Sequence, residues 1–193
     1  MNERTWLLGE AELPLDDDDL AVERKLWTRR SALALTAGFL ALGSVPARAS
    51  YVPTLAPRAN HIVVSKSKRV LALMSGAETL KRYKVHLGFT PRGHKQQSGD
   101  GRTPEGRYYI DRRNPRSEFY LSLGVSYPNA LDVARARALG VKPGGDIFIH
   151  GGPRRTADRR KTDWTAGCIA VSDAEMEEIW SMVPTGIPIT ILA

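Results

Sequence analysis

The sequence predicts a mostly β domain with two helices. From residue 61 onward, short runs rich in valine, isoleucine, leucine and tyrosine alternate with turn residues, which is typical of β-strands. Two other segments carry alanine or apolar residues at helical spacing. The 193 residues are 42% hydrophobic and 25% charged, a composition that suits one globular domain with a core.

The predicted strands begin as an antiparallel meander. The links at residues 65–68 and 75–78 have turn composition, so the first three strands are expected to pair in sequence order. The strands are predicted at residues 61–65, 69–75, 80–86, 106–112, 119–126, 147–150, 167–171 and 187–192.

The two predicted helices differ in how clearly their ends are marked. The first covers the alanine-rich residues 131–139 and is stopped by Gly140. The second begins at Ser172, whose hydroxyl can cap the chain while Glu175 reaches back from three residues later, and it continues to Pro184. The capping pattern makes the start of the second helix the sharper prediction.

The first 49 residues are predicted to be an export signal with a long, acidic leading region. Arg29 and Arg30 directly precede an uncharged stretch, residues 31–47, and resemble a twin-arginine signal. Its apolar part is short for a hydrocarbon layer of about 30 Å, and cleavage is expected after Ala49. The alternative is an uncleaved anchor helix. Either way the domain is expected to be exported, to the periplasm or cell envelope, with residues 50–59 as a linker and 60–193 as one folded domain.

The exported part is expected to be strongly basic. Of 28 basic and 21 acidic residues, six and eight lie in residues 1–49, which leaves an excess of nine positive charges after that point. Such a surface attracts anionic partners, among them nucleic acid, anionic lipid and anionic wall polymer. We find no zinc module or RNA-recognition string, so no nucleic-acid partner is expected.

The chain contains one cysteine, Cys168, which excludes a disulfide framework within the chain and a multi-cysteine zinc cluster. His150 ends one predicted buried strand and Cys168 lies at the start of the next. If these strands are neighbours, the imidazole can activate the thiol as a nucleophile, and we expect the thiol to ionise below its ordinary range. The competing interpretation is a buried structural cysteine that packs as a small apolar side chain.

The backbone beside this cysteine also fits acyl transfer. Gly167 lets the chain approach a substrate closely, and the N–H groups of Gly167 and Cys168 are candidates to bind a developing oxyanion.

The residues around this pair resemble a known family. His150-Gly151-Gly152, followed after the expected interval by residues 165–169 (Thr-Ala-Gly-Cys-Ile), resembles the L,D-transpeptidase family with the YkuD-type catalytic domain. Residues 103–106 (Thr-Pro-Glu-Gly) resemble the family's strand entry. Residues 122–129 and 163–170 are similar to its YafK-like branch. The resemblance covers about residues 60–192.

The resemblance implies a YkuD-like β-sandwich or barrel and an enzyme without cofactor or metal. Cys168 would be the nucleophile, and His150 its general base and acid. Thr165 and Gly167 would shape the nucleophile loop. Many members carry Arg or Asn where this chain has Ala170, so an anchoring role of that residue is missing here.

The implied substrates are peptidoglycan stem peptides, with a wall-linked protein as a further candidate donor or acceptor. Several alternatives stay open at this point. The thioester could pass to an amine acceptor or to water, and the domain could also be a non-catalytic wall-binding module. A membrane contact is expected only if the N-terminal segment stays uncleaved. Two groups outside the motif are weaker candidates for substrate contact: His94, and the arginines at 154, 155, 159 and 160.

Overall fold

A computed structural model describes residues 57–193 of the chain. The predicted export signal and most of the predicted linker lie outside these residues. The strands are β1 (His61–Ser65), β2 (Val70–Ser75), β3 (Glu78–Lys84), β4 (Gly106–Ser117), β5 (Tyr120–Val125), β6 (Phe148–His150), β7 (Ile169–Ala170) and β8 (Pro188–Leu192), and the helices are α1 (Ala130–Ala138) and α2 (Asp173–Met182).

The eight strands form one sheet in the order β3-β2-β1-β8-β4-β5-β6-β7. β1, β2 and β3 pair antiparallel in sequence, which confirms the predicted meander. The last strand, β8, lies between β1 and β4, parallel to β1 and antiparallel to β4. The fold class is therefore confirmed as mostly β with two helices.

The sheet curls until its two ends meet. The segment after β3 hydrogen-bonds to β7, with 2.9 Å from His86 N to Ala170 O and 2.8 Å from Ala170 N to His86 O. Further along, the Phe89 N–H donates to the Thr165 carbonyl over 2.9 Å. Because β3 and β7 end the strand order, these bonds join opposite edges of the sheet. They also hold the residues before Cys168 against a strand-like segment.

The core fills the inside of this curled sheet. Alternate residues of β1 and β8, such as Ile62 and Ile189, are fully buried, as expected for strands with one face in the core. Met176 and Ile179 of α2 are also fully buried and pack into the same cluster. Each such side chain stabilises the fold by about 1.5–3 kcal/mol.

The helix ends agree with the sequence to within two residues. Ser172 caps α2 and Glu175 completes the capping box, as predicted. α1 starts one residue earlier than predicted because the Asn129 side chain accepts bonds from the N–H groups of Leu131 and Asp132. Among residues 57–193, neither helix has the length and apolarity that crossing a bilayer requires.

One strand differs clearly from the prediction. β4 was expected to end at Arg112 but continues to Ser117, because it pairs with β5 as a long hairpin with two register shifts. The extension is largely exposed and carries arginines and Pro115, so it lacks the apolar alternation that marks strands in a sequence.

Candidate active site

His150 and Cys168 lie on neighbouring parallel strands. β6 ends at His150 and pairs with β7, which begins directly after Cys168, in the register Ile149–Ile169. Both side chains line one cleft of about 440 Å³. The expectation that these two strands are neighbours is therefore confirmed.

The imidazole of His150 is oriented by the backbone. Its Nδ1–H donates to the Gly151 carbonyl over 2.7 Å, so Nε2 carries the lone pair. The ring is buried, and the rings of Phe119 and Trp164 lie 4.6 and 5.6 Å from its centroid. Burial, together with the nearby charge of Arg154, lowers the pKa of His150 despite the bond to Gly151. The imidazole is therefore neutral at neutral pH.

The thiol of Cys168 does not have the pKa expected from the sequence. The residue is half-buried, and Sγ lies 3.4 Å from the carbonyl oxygen of Asp146. Burial raises the pKa of Cys168, and the charge of Asp146 adds to this, which outweighs the backbone hydrogen bond from Phe148. The expected ionisation below the ordinary thiol range is wrong, because burial favours the uncharged thiol and the imidazole beside it is itself neutral.

Thr165 organises the nucleophile loop, which we define as residues 163–168. Its buried hydroxyl accepts the Gly167 N–H over 3.1 Å and donates to the Cys168 carbonyl over 2.7 Å. Because its N–H is occupied in this way, Gly167 is not available as an oxyanion donor. The Cys168 N–H remains the candidate for that role.

The backbone conformation and the close packing at position 167 require glycine. Its φ is +135°, and a Cβ there would lie 2.7 Å from the Arg102 carbonyl oxygen. The backbone of this loop is therefore packed directly against the strand entry at residues 102–103.

Asp163 anchors the start of the nucleophile loop. Its carboxylate pairs with Arg69, with 2.8 Å between Nη2 and Oδ2, and accepts the Leu87 N–H over 2.9 Å. Although burial opposes ionisation, these bonds keep the pKa of Asp163 below its ordinary value. The sequence does not reveal this pairing, since Asp163 and Arg69 are 94 positions apart.

A second ion pair holds the loop that follows His150. Arg154 donates to both carboxylate oxygens of Asp173 over 2.8 and 2.9 Å, and the Gly152 N–H donates to Oδ1 of the same carboxylate over 2.9 Å. Arg154 is thus engaged within the protein. Arg155, which directly precedes the 3₁₀ turn Thr156–Arg160, and Arg159 within that turn are exposed.

The other histidines lie outside the cleft. His94 accepts the Glu105 N–H at Nδ1 and contacts Asp132 through Nε2 at 3.1 Å, beside a separate cavity of about 730 Å³ next to α1. Its weaker expected role as a contact bordering the nucleophile cleft is therefore not supported. Ala170 is buried in β7. An arginine at this position would have to direct its side chain out of the core. Within residues 57–193, no three His, Cys, Asp or Glu side chains are grouped as a metal site.

The sequence matches a described family over most of this domain. YkuD, the L,D-transpeptidase catalytic domain, matches residues 59–191. The chain belongs to the L,D-transpeptidase family. The resemblance predicted from residues 150–169 and their upstream partners is therefore confirmed, as is the YkuD-like fold.

Individual relatives of the chain agree with the family. It is 29% identical over 155 residues to a protein of Escherichia coli strain K12 named "Putative L,D-transpeptidase YafK", a match covering 76% of this chain and 57% of that protein. The chain thus spans little more than half the length of the curated relatives it matches.

Two solved structures share the fold. The helical cell shape determining protein Pgp2 from Campylobacter jejuni superposes with a TM-score of 0.54 at 25% identity, over 68% of this chain and 46% of that one. Bd1075 from Bdellovibrio bacteriovorus gives a TM-score of 0.51 at 25% identity, over 72% and 50% of the two chains.

Proposed function

We propose that this L,D-transpeptidase attacks peptidoglycan stem peptides with Cys168 and passes the acyl group to an amine. One observation carries the proposal: the only cysteine of the chain and an imidazole with its lone pair on Nε2 line the same cleft. Two further rings, Phe119 and Trp164, enclose the imidazole and keep it in the basic form needed to accept a proton.

The first half-reaction forms a thioester. As Sγ of Cys168 attacks the donor carbonyl carbon, the thiol proton passes to Nε2 of His150, so a neutral thiol is activated only at the moment of attack. In this step the Cys168 N–H donates a hydrogen bond to the developing oxyanion. His150 then returns the proton to the departing amine as the carbon–nitrogen bond breaks.

The second half-reaction releases the thioester. An acceptor amine gives up a proton to His150 and attacks the carbonyl, the carbon–sulfur bond breaks, and the proton returns to sulfur. If water attacks instead, the same residues make the protein a hydrolase that trims stem peptides or cuts links between the wall and a protein. The two reactions differ only in the second nucleophile, so the products distinguish them.

We further propose that the reaction takes place outside the cytoplasm. The paired arginines before an uncharged stretch support export, and the chemistry requires contact with the wall. Pgp2 is described as a helical cell shape determining protein. By analogy, a role of this chain in shaping the wall is part of the proposal.

Incubation of purified wall sacculi with the full chain, followed by digestion and mass spectrometry, tests the proposal. New crosslinks identify transpeptidation, whereas trimmed stems or released protein identify hydrolysis. Cys168→Ala and His150→Ala are expected to abolish product formation. His61→Ala is the matched control, because this histidine is bonded to Thr190 and lies outside the cleft.

Circular dichroism must show that each variant is folded. Product formation by folded Cys168→Ala protein would overturn the proposal. Wall binding by the wild-type protein without any product, unchanged in Cys168→Ala, would instead identify a wall-binding module.

A further inference from the structure

The cleft at Cys168 continues into a second depression. The depression has a volume of about 360 Å³, and it shares Arg154, Asp158 and Trp164 with the cleft as lining residues. Because three residues line both, the two cavities adjoin each other, and we call them together the basic groove. Cys168 lines the first cavity, and His86 and Arg159 line the second.

Two arginines that line this groove have no side-chain partner among the residues that the structure describes. Arg155 lines the cleft and Arg159 lines the depression. Among residues 57–193, neither guanidinium forms a side-chain hydrogen bond or an ion pair. Both are exposed, so both are available to a ligand.

The other charges of the groove are mostly satisfied internally. Arg154 is held by Asp173, and Asp158 accepts from Lys161 over 2.8 Å. Glu118 lies at the Cys168 end and is exposed; its backbone carbonyl accepts from Arg154. The positive charge that remains open to a ligand is therefore concentrated at Arg155 and Arg159.

We infer that Arg155 and Arg159 bind two carboxylates of the donor peptide and so select acidic peptides. A guanidinium forms charge-assisted, often bidentate hydrogen bonds with a carboxylate. Trp164 lines both cavities and offers a flat aromatic surface to the peptide. The inference rests on the proposed function, since it names the substrate class of the same site.

The same 3₁₀ turn supplies a matched control. Arg160 ends the turn Thr156–Arg160 and is exposed like its neighbours, yet it lines neither part of the groove. Arg137 of α1 is another exposed arginine outside the groove. The double variant Arg160→Gln/Arg137→Gln therefore removes the same charge as Arg155→Gln/Arg159→Gln without changing the groove.

Binding to the full chain carrying Cys168→Ala tests the inference without turnover. The probes are a synthetic stem peptide with free carboxylates and the same peptide with its carboxylates amidated, measured by calorimetry. We expect amidation to weaken binding about tenfold, and Arg155→Gln/Arg159→Gln to remove that difference. Arg160→Gln/Arg137→Gln is expected to keep it.

Equal loss in both double variants would overturn the inference, because it would show a general charge effect. Tighter binding of polyphosphate than of the acidic peptide would overturn it too. The inference and the proposed function can fail separately. If binding depends on the two arginines but the protein with Cys168 intact forms no product, only the proposed reaction is contradicted. If product forms at the same rate without Arg155 and Arg159, only the inference is contradicted.

Discussion

Arg69 and Asp163 form a bidentate ion pair that joins the turn after β1 to the start of the nucleophile loop. The guanidinium contacts both carboxylate oxygens, with 2.8 Å from Nη2 to Oδ2 and 3.1 Å from Nε to Oδ1. Asp163 lies five positions before Cys168, and its other bond, from the Leu87 N–H, ties it to the segment that closes the sheet. The pair thus fixes the point from which the loop approaches the cleft.

Asp163→Asn and Arg69→Lys are expected to lower kcat more than they raise KM, because they loosen the nucleophile without touching the substrate. Arg69→Lys keeps the charge but loses the bidentate geometry, so it should be the milder variant. Steady-state kinetics on a stem-peptide substrate measures both constants. Glu178→Gln, which breaks the exposed pair with Lys81, is the control and should leave kcat unchanged. Loss of kcat in the control as well would contradict the positioning role.

The same pair gives a pH dependence of stability. Since the folded-state pKa of Asp163 is lowered, its contribution is fully present above the unfolded carboxyl value of about 3.9 and is lost as pH falls through the folded value. Asp163→Asn should therefore lower the free energy of unfolding by about 1–3 kcal/mol at pH 7. Urea titrations should show that this difference shrinks below about pH 4. A difference that stays constant down to pH 2 would contradict the assignment.

Thr165 offers a test of the loop itself. Thr165→Val keeps the shape of the side chain but removes the hydroxyl that accepts from Gly167 and donates to Cys168. We expect kcat to fall about tenfold to a hundredfold, because small displacements of a nucleophile are costly. Thr165→Ser, which retains the hydroxyl, should recover most of that loss. Equal activity of the valine and serine variants would show that the hydroxyl does not position Cys168.

The pKa directions at His150 and Cys168 predict how the site titrates. Burial lowers the pKa of His150, so the imidazole stays unprotonated to a lower pH than an ordinary histidine. The acidic limb of kcat/KM should therefore lie below about pH 6.5. Because burial raises the pKa of Cys168, iodoacetamide should alkylate the thiol of the folded chain only above about pH 8.5. Mass spectrometry of the single cysteine follows the labelling. Rapid labelling of folded protein at pH 6 would show that Cys168 is a thiolate before substrate binds. It would contradict the inference that both the thiol and the imidazole of His150 are uncharged.

Export can be tested independently of the folded domain. Arg29→Lys/Arg30→Lys should leave the full chain in the cytoplasm, since a twin-arginine signal depends on both arginines. Cell fractionation with an antibody against the domain measures the outcome. Export at the wild-type level would show that another route is used.

The sequence predicted the elements better than the contacts between them. Alternating apolar residues mark β1 and β8, and the capping box at Ser172 marks the start of α2, because these signals are local. The insertion of β8 between β1 and β4 is a long-range pairing, and nothing within residues 187–192 encodes which strands will flank them. The exposed end of β4 was not predicted, because it has no apolar face that marks it in the sequence. It is a strand because it pairs with β5.

The candidate site shows the same division. The sequence was enough to identify His150, Cys168 and Thr165, because they lie within one recognisable stretch of the chain. It was not enough to identify Arg69, since its partner Asp163 is distant in sequence and an arginine in a turn is common. The raised pKa of Cys168 depends on burial in three dimensions, which a nearby histidine in the sequence does not reveal.

The central position of β8 has a consequence for how the domain is made. β1 and β4 have no direct pairing, and the residues that join them, Pro188–Leu192, are synthesised after the other strands of the domain. A nascent chain can form the β1–β3 meander early but cannot close the curled sheet until those residues have left the ribosome. Folding should therefore be completed after translation of the domain, with a slow step that brings together segments about 130 positions apart. Truncation just before Pro188 should leave the nucleophile present but the curled sheet open between β1 and β4.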